Sequence, residues 1–128
     1  MSVASYQTTP VRPFSPDVLR GAAREARRWL FEDALPLWAE RGRDAVHGGF
    51  FEQIGFNGEA ITIPKRCRVQ ARQAYVFLEA GRLGWRGPWR ERASSGLEFM
   101  LTRHARPDGF MRFKTYLDGS PCNDEADN

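Results

Sequence analysis

The chain has 128 residues, 41% of them hydrophobic and 12% aromatic, which is ordinarily one domain with a real core. Nineteen basic against sixteen acidic residues leave a net charge of +3, and because the basic residues are interleaved with acidic and apolar ones, nucleic acid is not a favoured partner. Met1 to Thr9 has neither a basic nor an apolar targeting region and the chain holds no apolar run of about 18 residues, so a soluble cytoplasmic protein without a membrane partner is expected.

Residues 1–14 carry Pro10 and Pro13 without an apolar period and read as a flexible leader, with the folded domain running over 15–128. Ser15-Pro16-Asp17 then starts a helix: Ser15 caps it, Pro16 takes the first position and Asp17 suits the positive end of the dipole. Leu19, Ala22, Ala26, Trp29 and Leu30 follow at helical spacing, while Arg20, Arg24, Glu25, Arg27 and Arg28 take the other side. Pro36 is expected to kink or interrupt this helix, and Gly42 to stop it. From Gly48 the helical pattern breaks, and Asn57-Gly58 predicts a short β-hairpin.

Pro64 predicts the start of the next helix, which is apolar almost all round from Ala74 to Gly81. Its first half is basic. Lys65, Arg68, Arg72, Glu79 and Leu83 fall on one line, a polar stripe whose guanidinium groups need carboxylates, a ligand or water. A structural ion-pair network is one reading of the stripe; the other is a polar cavity in which an arginine reaches a polyol or an anion. Gly87-Pro88 opens a further helix with Trp89, Ala93, Leu97, Met100, Leu101 and His104 on one side. Pro107-Asp108-Gly109 ends it, and Phe110, Phe113, Tyr116 and Leu117 mark extended structure before a turn at Asp118-Gly119.

These pieces repeat. Gly49-Phe50, an extended run and Asn57-Gly58 recur as Gly109-Phe110, an extended run and Asp118-Gly119, each after a one-sided helix. Stacked helical hairpins cannot bury their faces alone, so the all-α repeat predicts further units beyond Asn128 and a chain that is a fragment.

Leu35-Pro36-Leu37-Trp38, Gly42-Arg43-Asp44, Gly48-Gly49-Phe50, Val69-Gln70-Ala71-Arg72-Gln73 with Tyr75-Val76-Phe77, and Leu83-Gly84-Trp85 together resemble the N-acylglucosamine 2-epimerase family, from about Trp29 to Asp124. The resemblance implies an (α/α)6 barrel of six helical hairpins, of which only the first third is present, and proton transfer at C2 of a reducing sugar through an enediol-type intermediate. It implies no cofactor, no metal, a small-molecule sugar substrate, and allows a homodimer of the full-length protein. The family's two acid–base histidines belong to later hairpins; His47 and His104 match neither and read as surface or packing residues. Arg72 of the Gln-Ala-Arg-Gln motif is the residue the resemblance carries over as catalytic and substrate-binding, because a fixed guanidinium stabilises charge on an enediolate oxygen and keeps its proton. Gly49, Phe50 and Phe51 are expected to shape the cavity rim, with Trp38 a stacking surface and Arg68 a further sugar contact. Many members supply a tyrosine shortly after the glycine of the second hairpin; here that neighbourhood reads Phe110-Met111-Arg112-Phe113, and Tyr116 comes later, so the sequence departs from the family at that contact.

Other signals are set aside. Gly81-x-x-Gly84-x-x-Gly87 follows a helix rather than a strand and reads as a helix exit, not a dinucleotide loop. Asp118, Asp124, Glu125 and Asp127 lack the spacing of a calcium loop, and Ser94-Ser95-Gly96 lacks a nucleophile frame. Cys67 and Cys122 have no C-x-x-C spacing and read as reduced structural thiols. The alternative to an enzyme is a non-catalytic helical-repeat module that binds carbohydrate or a partner.

Overall fold

The computed structural model describes residues 15–122. The leader and the acidic residues Asp124, Glu125 and Asp127 lie outside them. Helix α1 spans Pro16–Trp29, and it starts as its sequence dictates: Ser15 is extended and its side chain accepts the Val18 N–H at 3.3 Å, with Pro16 leading the first turn. The α-helix is interrupted just ahead of Pro36: the chain widens into a π-helical turn, Leu30–Ala34, and resumes as α2, Leu35–Glu40. The Leu35 N–H reaches back to the Leu30 carbonyl, so the backbone slackens just ahead of a proline that has no N–H to give.

Strands β1 (Gln53–Ile54) and β2 (Ala60–Ile61) pair antiparallel around the expected Asn57-Gly58 turn, with Gly58 at φ 78°. The next helix, α3, spans Cys67–Arg82 and not from Pro64. Lys65 and Arg66 are extended because they form strand β3, which pairs antiparallel with β4, Lys114–Thr115. That pairing claims backbone groups a helix would otherwise use. At its far end α3 closes as the glycine spacing predicts. Trp85 N–H bonds the Ala80 carbonyl and Gly84 N–H the Gly81 carbonyl, with Gly84 at φ 92°, so orphan carbonyls of the last turn are satisfied.

Helix α4, Trp89–Phe99, packs against α3 and runs into a second π-helical turn, Met100–His104. Its buried face is Ala93, Gly96, Phe99 and His104, whereas Leu97 and Leu101 are exposed. The expected one-sided stripe therefore holds only in part: Leu97 is off the buried face already within α4, and the π turn rotates the residues after Phe99 relative to an ideal period. The core is Leu35, Ala39, Phe50, Phe77, Ala80, Trp85 and Ala93. Phe50 and Phe77 stack at 5.5 Å, and Gly96 lets them close, since a Cβ there would stand 3.0 Å from the Phe50 ring.

The internal repeat exists with a shifted register. Gly48 N–H bonds the Asp44 carbonyl and Gly109 N–H the Arg106 carbonyl, both glycines at φ 87°, so Gly48 rather than Gly49 is the counterpart of Gly109. The hairpin turns obey the same offset: Gly55 bonds Glu59 as Tyr116 bonds Ser120, and Gly58 bonds Gly55 as Gly119 bonds Tyr116. Pairing by dipeptide had aligned Phe50 with Phe110, but Phe50 is fully buried and Phe110 exposed; Met111, bridged to Ala105 as Phe50 is to Arg43, is its equivalent.

Candidate active site

The polar stripe does not form one network. Lys65 is fully buried and donates from Nζ to Asp44 Oδ2 at 2.7 Å and to the Gly48 carbonyl at 2.8 Å, with the Phe99 ring 4.4 Å away. Burial pushes Lys65 below its ordinary pKa despite Asp44. Asp44 is also raised by burial, its largest influence, but Lys65 and the N–H groups of His47 and Val46 outweigh this and hold the carboxyl below its usual range. At the other end Glu79 pairs with Arg82 at 2.8 Å. Arg68 lies 5.7 Å from the centre of the Phe113 ring. Arg72 differs from these: its side chain has no hydrogen-bond or ion-pair partner among the described residues, and it lines a groove of about 230 Å³ with Trp38, Glu52, Val69, Gln73 and Val76.

The groove is positioned by the Gly48-Gly49-Phe50 segment. Gln70, on α3 and fully buried, accepts the Phe50 N–H through Oε1 and donates Nε2–H to the Phe50 carbonyl, both at 2.8 Å. A side-chain amide thus completes both backbone bonds of Phe50, as a neighbouring strand would. Gly49 makes this approach feasible at φ 67°, and its N–H donates to Ser95 Oγ at 3.0 Å. A Cβ on Gly49 would meet Gln70 Oε1 at 2.5 Å and Phe99 Cγ at 2.8 Å. Two residues on, Glu52 is buried and ion-paired to Arg66 Nε; its other oxygen accepts the Arg66 N–H at 3.1 Å.

Of the residues expected at a sugar site, Arg72 and Trp38 therefore meet in one groove. Phe51 is half-buried beside Lys65, 5.7 Å from its Nζ, and does not line that groove. Phe50 is corrected outright: a residue with no exposed surface, stacked on Phe77, supports the site from the core and forms no rim. His47 is exposed with Nδ1 3.3 Å from Asp44 Oδ2, and His104 is buried with Nδ1 3.0 Å from the Arg112 carbonyl. Both are away from the Arg72 groove, as packing and surface residues would be. A larger and more open depression of about 440 Å³, lined by His47, Tyr116 and Asp118 among others, contains no residue of the stripe. Gln70, Glu52 and the Asp44–Lys65 pair went unassigned from sequence. For Glu52 a signal existed: it lies two residues from Phe50, on the same inward side of an extended segment.

The family model described as N-acylglucosamine 2-epimerase (GlcNAc 2-epimerase) matches residues 49–127. The chain belongs to the N-acylglucosamine 2-epimerase family. A relative named mannose-6-phosphate isomerase, from Rhizobium meliloti (strain 1021), is 43% identical over 97 residues, which are 76% of this chain and 25% of the relative. The structure of a cellobiose 2-epimerase from Spirochaeta thermophila DSM 6192 matches with a TM-score of 0.69 and 27% identity, over 83% of this chain and 27% of that one. A cellobiose 2-epimerase from Bacillus thermoamylovorans B4167 shares the fold at a TM-score of 0.72 and 20% identity, over 82% and 27% of the two chains. The chain thus spans about a quarter of the length of the epimerase-family proteins it matches. Among the described residues no helix is long and apolar enough to cross a membrane.

Proposed function

We propose that the chain is the N-terminal part of a sugar 2-epimerase or aldose–ketose isomerase, with residues 15–128 beginning an (α/α)6 barrel. The reading is carried by Arg72. A guanidinium with no hydrogen-bond or ion-pair partner among the described residues, in a groove walled by an aromatic ring and polar side chains, is arranged for a ligand rather than for the fold. In such a reaction a base takes the C2 proton of the open-chain sugar and charge gathers on the adjacent carbonyl oxygen. Arg72 offers that oxygen the donors of a planar guanidinium, which stabilise the developing charge. Trp38 gives the apolar face of the sugar a surface to lie against. The family resemblance implies that the general acid and base are histidines of later hairpins, and His47 and His104 are outside the groove.

The experiment is NMR in deuterated water with mannose, glucose, N-acetylglucosamine and cellobiose. A protein extended to the length of its relatives is expected to place deuterium at C2 of one of these sugars, because the acid–base residue equilibrates with solvent between turnovers. The chain of residues 1–128 is expected to place none. Exchange by the short chain would show that the acid and base lie within it, and no exchange by a folded extended protein would overturn the enzymatic reading.

A further inference from the structure

We infer that Glu52 is a second sugar contact in the Arg72 groove, an acceptor that selects for a hydroxyl group where Arg72 serves the carbonyl oxygen. This rests on the reading of Arg72 as a sugar ligand and extends it to a residue on a different element. Carboxylates are rarely buried without cause, and the Glu52 side chain is only 3% exposed. It meets two donors of a single residue, the Arg66 N–H and Nε, one on each carboxylate oxygen. A carboxylate can accept about four hydrogen bonds, so each oxygen retains a lone pair. The residue is at the same time part of the groove wall with Arg72, Trp38 and Gln73. Its orientation is fixed from behind: Phe50 is clasped by Gln70, and Phe51 N–H donates to the Gly42 carbonyl at 2.8 Å, so Glu52 is held on the inward side of the segment.

The pairing of functions follows from the chemistry of the ligand. An open-chain aldose presents a carbonyl oxygen, which only accepts, beside hydroxyl groups, which also donate. Arg72 has donors and no acceptor; ionised Glu52 has acceptors and no donor. Together they read a carbonyl–carbinol array in one orientation. A site with a buried acceptor discriminates strongly against an analogue lacking the hydroxyl, because the acceptor is then left unmatched.

The test is titration of a protein extended to the length of its relatives with D-mannose and its 2-deoxy, 3-deoxy and 4-deoxy analogues, followed by ligand-observed NMR. The variants are Glu52→Gln and Arg72→Met, with amide spectra of each compared to the parent to establish that the fold is kept. Gln retains the shape but offers one oxygen to the two Arg66 donors and turns an NH2 group into the wall. The parent is expected to bind one deoxy analogue roughly tenfold or more weakly than mannose. In E52Q that ratio should fall below about threefold, whereas in R72M every sugar should weaken with the ratio preserved. A ratio unchanged in E52Q overturns the role of Glu52 while leaving Arg72 intact. Binding in R72M equal to the parent overturns the Arg72 reading itself, and a parent that binds none of the sugars overturns both.

Discussion

At the scale of single residues, the two cations at the ends of one argument, Lys65 and Arg72, are predicted to fail differently. Lys65 is sealed against Asp44, the Gly48 carbonyl and the Phe99 ring. Lys65→Met leaves a buried carboxylate without its cation, a change that costs about 3–5 kcal/mol in comparable pairs. The amides of Val46 and His47, which donate to Asp44 Oδ1 at 3.0 and 2.9 Å, should then lose hydrogen-exchange protection by roughly a hundredfold or more. The pH dependence has a definite sign. Because Asp44 is held below its ordinary pKa, its contribution is present above the usual carboxylate range and is lost as pH falls through the folded-state value. Exchange measured at a pH below that folded-state value should therefore separate parent and variant less than at pH 7. Arg72→Lys should leave this protection unchanged, since no described residue depends on it. In the extended protein it should lower turnover about tenfold or more, because an ammonium lacks the planar fork. If turnover holds and stability falls, Arg72 is structural. The sequence made Arg72 legible through its place in the Gln-Ala-Arg-Gln motif, but not the partner of Lys65: Asp44 comes from a loop that sequence spacing cannot bring to β3.

At the scale of elements, the segment from Gly48 to Glu52 is the piece that joins fold to site. Its glycines were legible as a break in helical pattern, and the reason both are needed is visible only in three dimensions. Gly49 adopts φ 67° and lies within contact of Gln70 and Phe99, so Gly49→Ala combines a strained backbone with a steric conflict. The expected cost is at least about 2 kcal/mol, roughly thirtyfold in exchange protection at the Phe50 amide, where the clasp by Gln70 would open. Gly58 provides the control. It has a similar φ of 78°, but nothing stands within 4 Å of a Cβ there, so Gly58→Ala should cost about 1 kcal/mol and leave the Phe50 amide untouched. Equal effects at the two glycines would mean that backbone conformation alone, not the close approach to Gln70, sets the requirement. The same contrast explains what the sequence concealed. Turn dipeptides such as Asn57-Gly58 act locally and can be read from neighbours, whereas β3 forms because Lys65 and Arg66 meet residues 114–115, and that long-range pairing displaced the helix start from Pro64 to Cys67.

At the scale of the molecule, the decisive feature is apolar surface left without a neighbour. Tyr75 is 65% exposed and Leu83 51% exposed, with Val76 and Leu78 beside them on a helix whose sequence reads as enclosed. On α1 no residue is buried, and Val18, Leu19 and Trp29 are each more than half exposed although the helix is strongly one-sided. Amphipathic faces of this kind mark surfaces meant to be covered, and in relatives about four times as long there is chain available to cover them. The sequence showed the pattern of these faces but not their exposure, since periodicity says which residues share a side and nothing about what lies opposite. Residues 1–128 alone are therefore expected to self-associate with rising concentration and to melt over a broad range, since no single core ties α1 to the α3–α4 pair. Sedimentation velocity across a hundredfold concentration range and calorimetry on the same samples measure this. A protein extended to the length of its relatives should sediment as a defined species and unfold sharply. A strictly monomeric short chain with a sharp two-state transition would show instead that the exposed faces of α1 and α3 cost the fold nothing, and the case for a continuing barrel would lose its physical basis.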